Sequence, residues 1–123
     1  MGTLENFGRS VSILAENVSG AKPLKRVLGA VRWCNECAWD AVTDGLRPTA
    51  TLLGYLCQSA SLIENLLAKD RQCSPEQRVW LEGMLHRMEM RSELVERHLA
   101  EAAETRRWVR SQILGSVNPQ HDD

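Results

Sequence analysis

The chain is poor in aromatic residues, with one phenylalanine, one tyrosine and four tryptophans among 123 residues. It also lacks any apolar run of membrane-spanning length. The longest candidate, Leu52 to Leu67, is interrupted by Gln58, Ser59, Ser61, Glu64 and Asn65, and a spanning helix needs about 20 mostly apolar residues. The N-terminus has no basic segment leading into an apolar one, so no secretory leader is expected. Ser10, not a residue at position six, is the first serine, so the myristoylation pattern is missing too. Charge of one sign is also lacking. Fifteen basic residues face sixteen acidic ones, for a net charge of -1, which favours neither bulk nucleic-acid binding nor attraction to an acidic membrane. No period-2 alternation and no hairpin dipeptide between apolar segments suggests a strand.

What is present is helical periodicity at ordinary globular composition, 43% hydrophobic and 25% charged. The length suits one domain with its own core. Leu4, Phe7, Val11, Leu14 and Val18 form one stripe of a first helix, with Thr3 placed to cap it and Ser19-Gly20 to stop it. Pro23 to about Gly45 reads as a second helix, with Leu24, Val27, Val31, Cys34, Ala38 and Val42 on one face and Leu28 and Trp39 broadening it. Pro48 to about Lys69 reads as a third, with Leu52 or Leu53, Leu56, Ala60, Ile63 and Leu67 inward.

The fourth stretch dominates. Ser74, Pro75 and Gln77 spell an N-cap, a first-turn proline and a capping box. Nothing then interrupts the helical pattern before Gly115 and Pro119. Leu81, Leu85, Met88, Ser92, Val95, Leu99, Ala102, Arg106, Val109 and Ile113 advance in steps of four and three, the seam of a coiled coil or left-handed bundle. The implied fold is all-α, a four-helix bundle-like domain over 1–115 with one long C-terminal helix, kinked near Arg91–Ser92 or projecting, and a flexible polar tail over 116–123. Arg106, Arg107 and Arg110 fall in its last turns, where cations complement the helix dipole.

The sharpest chemical motif is Cys34-Asn35-Glu36-Cys37. Its spacing resembles that of thioredoxin-type proteins, in which the pair opens a helix after a strand; here it falls mid-helix. It is also similar to the C-x-x-C of the all-helical AhpD-like peroxidases, whose pattern adds a histidine shortly after the second cysteine, where this chain has Ala38, Trp39, Asp40 and Ala41. Cys34, Cys37, Cys57 and Cys73 offer four thiolates to a metal in principle, but with only one tight pair the spacing is not diagnostic. They read better as reduced thiols of a cytoplasmic protein. No nucleophile elbow, P-loop, dinucleotide fingerprint or metalloprotease motif occurs.

The expected function is therefore a non-catalytic protein–protein interaction module, a small regulator, adaptor or chaperone-like protein. It would act through the long helix as a homodimer, with no cofactor. Trp80, Met84, Val95, Leu99, Ala102, Trp108, Val109 and Ile113 are the candidate contact residues, because Met and Trp are enriched on partner surfaces. Thiol-redox or metal chemistry at Cys34 and Cys37 is the alternative. The partner is unassigned, and a nucleic acid is disfavoured.

Overall fold

The computed structural model describes residues 2–44, 49–69 and 73–117. They form four helices: α1 (Thr3–Ser19), α2 (Leu24–Thr43), α3 (Ala50–Ala68) and α4 (Pro75–Val117). No strand occurs among the described residues, and no helix is long and apolar enough to cross a membrane.

Local chemistry sets most helix ends. Ser74 and Gln77 close the expected capping box: the Gln77 N–H donates to Ser74 Oγ at 3.1 Å, and the Ser74 N–H donates to Gln77 Oε1 at 2.9 Å. Thr49 caps α3 by accepting from the Leu52 N–H at 3.1 Å. Thr3 does not cap α1. Gly2 holds that position, and the Thr3 hydroxyl reaches Asp44 Oδ2 at the far end of α2 instead, at 3.4 Å. At the other end of α1 the Lys22 N–H bonds to Asn17 O and the Ala21 N–H to Val18 O. This is a Schellman closure in which Ala21, at φ 50°, takes the left-handed position glycine usually fills. The chain therefore turns one residue later than Ser19-Gly20 alone suggests. Pro48 lies outside the described residues.

The helices pair as two antiparallel hairpins, α1 with α2 and α3 with α4, as short connections favour. The hairpins then stack with α1 beside α3 and α2 beside α4, and α1 does not approach α4. Arg32 meets Trp80, and Arg91 meets Trp39. Both pairs advance together along the two helices, so α2 and α4 run parallel. The burial pattern repeats between the hairpins. Phe7, Ser10, Val11 and Leu14 of α1 correspond at constant spacing to Leu56, Ser59, Ala60 and Ile63 of α3. Val27, Ala30, Cys34 and Ala41 of α2 correspond likewise to Leu81, Met84, Met88 and Val95 of α4. Ser10 and Ser59 are tolerated inside because each hydroxyl donates to its own helix, to Phe7 O and Tyr55 O, both at 2.7 Å.

α4 is continuous over 43 residues, about 64 Å at 1.5 Å per residue. There is no break at Arg91–Ser92, where the Ser92 hydroxyl donates to Met88 O at 2.8 Å. Gly115 does not end the helix. Residues 116 and 117, expected in the tail, are helical, and 118–123 lie outside the described residues. α1, α2 and α3 have 17, 20 and 19 residues, so α4 outruns its neighbours by about half its length and projects.

Candidate protein-binding surface on the C-terminal helix

The seam of α4 changes character along its length. Leu81, Met84, Met88 and Val95 are buried against the other helices. Leu99 is half-buried at the edge of the core. From Ala102 onward the same seam is open: Val109 is 42% exposed and Ile113 57%. Trp108, at 64%, and Leu114, at 52%, are bare on neighbouring faces of the helix.

Two of the expected contact residues are thus corrected. Met84 and Val95 are core side chains and are not available to a partner. Trp80 is half-buried, packed against the core under the Arg32 guanidinium at 5.7 Å. Leu99, Ala102, Trp108, Val109 and Ile113 do lie together along the open half.

At the root of the projection the start of α3 meets α4. Thr49 and Ala50 form one wall of a groove of about 770 Å3, with His98, Leu99, Ala102, Thr105 and Arg106 on the other side. The groove runs on, through the shared Thr105 and Arg106, into a shallower one of about 360 Å3 lined by Val109, Arg110, Ile113 and Leu114. His98 Nδ1 lies 3.8 Å from Glu101 Oε2. Arg106, Arg107 and Arg110 are exposed and enter no ion pair among the described residues, and Glu104 does not close onto Arg107 despite its favourable spacing. Because α4 continues to Val117, no basic residue falls in its last turn. The arginines therefore lie too far from the helix end to compensate its dipole, which acts within the last turn.

A second cleft, of about 510 Å3, separates α2 from α4. It is lined by Asn35, Glu36, Trp39, Asp40, Arg87, Met90 and Arg91. Trp39, expected to broaden the core face of α2, is 56% exposed. Its ring is covered instead by Arg91, whose guanidinium lies 5.5 Å away and donates to Asn35 Oδ1 at 2.8 Å. Burial and the neighbouring Arg87 lower the Arg91 pKa.

The C-x-x-C thiols sit inside the bundle. Cys34 is fully buried, with its Sγ 3.3 Å from Ser59 Oγ, and Cys37 is nearly so. Burial raises both pKa values above the usual thiol value, the reverse of what activates a nucleophilic cysteine. Cys57 is exposed, and Cys73 is half-buried. Among the described residues no three His, Cys, Asp or Glu side chains gather as a metal site requires.

Compared with known proteins, the chain matches no family model, no curated protein sequence and no solved structure.

Proposed function

We propose that this chain is a non-catalytic protein–protein interaction module whose working surface is the projecting half of α4. One observation carries the reading: the seam that packs the bundle core continues in register past the bundle's end, with Val109 and Ile113 left in water. Each apolar side chain of that size is worth about 1.5–3 kcal/mol when fully buried, so a helix laid along the seam gains appreciably from covering both. Such a surface takes either a second copy of the chain or a helix of another protein. The buried, pKa-raised thiols support the non-catalytic side of the proposal.

The test is light scattering over a concentration range, with reductant, on the wild type and on the double variant Val109→Glu/Ile113→Glu. Because both positions are exposed, the variant keeps its melting temperature. A wild-type dimer that becomes monomeric in the variant establishes self-pairing. A wild type that is monomeric throughout directs the seam to another protein's helix. Loss of the fold in the variant refutes the proposal, since it places these residues in the structural core.

A further inference from the structure

We infer that the projecting half of α4, with the groove at its root, receives an acidic amphipathic helix of another protein. This rests on the reading of α4 as an interaction surface and adds the chemistry of its occupant. The floor, from Leu99 through Ala102 and Val109 to Ile113, is spaced for knobs-into-holes packing and is about 21 Å long, enough for two heptads of a partner helix. Glu101 and Glu104 lie beside its first turns, and beyond Thr105 its charges are of one sign. Arg106, Arg107 and Arg110 are the only ionisable residues between Thr105 and Val117, and none enters an ion pair among the described residues. They do not serve the helix dipole, because the helix runs on past them. Arg106 within the strip and Arg107 and Arg110 beside it are complementary to a strip flanked by carboxylates, as flanking charges set partner choice in paired helices.

A second copy fits this region less well. A parallel pair in register sets Arg106 on Arg106 within the seam. An antiparallel pair that places Ala102 opposite Ile113 gathers the arginines of both copies within a few turns, and the stretch from Thr105 to Val117 supplies no acid to either arrangement. Nucleic acid shares the charge complementarity, but Val109, Ile113 and Leu114 beside the arginines offer nothing to a phosphate backbone.

The experiment uses the full chain and two 21-residue peptides. Each is built of three heptads with leucine at both seam positions; one carries glutamate at the flanking positions and its twin carries lysine. Self-repulsion keeps each peptide poorly helical alone, so binding is read as helicity gained at 222 nm and by titration calorimetry. The glutamate peptide should bind at least about tenfold tighter than the lysine peptide at low salt. The preference should shrink in 0.5 M salt, as expected for exposed charges, and reverse in Arg106→Glu/Arg110→Glu, whose melting temperature stays at the wild-type value. Equal affinity for the two peptides overturns the inference. A wild-type dimer lost in Val109→Glu/Ile113→Glu also overturns it, while leaving the interaction reading standing. A monomer that binds neither peptide overturns both. Tighter binding of a 20-nucleotide DNA than of the glutamate peptide at the same salt overturns both as well.

Discussion

The joint between α2 and α4 makes a quantitative prediction at Arg91. These two helices approach less extensively than the partners within each hairpin, and arginine–tryptophan contacts bridge them. Arg91 donates to Asn35 Oδ1 at 2.8 Å and lies 5.5 Å from the Trp39 ring centre. A hydrogen bond with one charged partner contributes about 1.5–3 kcal/mol, and an exposed cation–π contact about 0.5–1 kcal/mol. Against these stands the partial dehydration of the guanidinium, visible in its lowered pKa. The net for Arg91→Ala is a loss of about 1–2 kcal/mol, which lowers the melting temperature of a domain this size by about 4–8 °C. Urea unfolding followed by circular dichroism, on the wild type, Arg91→Ala, Asn35→Ala and the double variant, isolates the pair. Their coupling should be about 1 kcal/mol with an unchanged urea slope. Arg91→Lys should restore less than half of the loss, because an ammonium keeps the charge but not the planar fork that stacks and donates together. A coupling below about 0.3 kcal/mol, within the error of additive sites, refutes the reasoning: Asn35 would then exchange the guanidinium for water at no cost.

Two opposite glycine substitutions should both stabilise the fold in thermal melts. Ala21→Gly relieves the left-handed backbone at φ 50°, and Gly83→Ala adds a methyl group to an open helix surface with nothing within 4 Å; each is worth about 0.5–1 kcal/mol. Gly8→Ala should forgo that gain, since its Cβ would come within 2.8 Å of the Tyr55 ring and hydroxyl. Ser74→Ala removes half of the capping box and should cost about 1 kcal/mol in urea unfolding. Stability should fall as pH rises above about 9, the ordinary thiol value from which Cys34 and Cys37 are raised: the unfolded chain loses thiol protons there that the folded chain retains, so folding is increasingly disfavoured until the raised folded values are reached. Melting temperatures from pH 8 to 10.5 should decline more steeply for the wild type than for Cys34→Ala/Cys37→Ala, and equal slopes would remove the buried thiols as the cause.

Features carried by a few neighbouring residues were the most legible in the sequence. Ser74, Pro75 and Gln77 announced the start of α4, and stripes such as Phe7, Val11 and Leu14 announced buried faces, because caps and helical periodicity are local physics. What depended on distant neighbours was not legible. Trp39 fits the core stripe of α2 by angle, yet it lies outside the core against an arginine more than fifty residues away. Met84 and Val95 read as contact residues because the sequence does not show where the bundle stops; the start of α3 beside Leu99 does. The hairpin duplication is not legible in the sequence because it is a repeat of burial: Cys34 corresponds to Met88 and Val11 to Ala60, pairs that share a location and not a side chain. Gly115 reads as a helix stop, but a single glycine costs a helix only about 1 kcal/mol and does not end it unaided.

The length of α4 has a consequence for how its free end forms. An isolated helical segment must first fix a turn against an unfavourable nucleation constant of roughly 10⁻³, after which each further residue adds with a propagation factor near one. In α4 the turns from Pro75 to Val95 are held by the bundle, so nucleation is complete before the chain reaches Ala102. The open half is therefore templated rather than self-starting. It lengthens or frays residue by residue from its tip, and a helix docking against it has only a propagation equilibrium to shift.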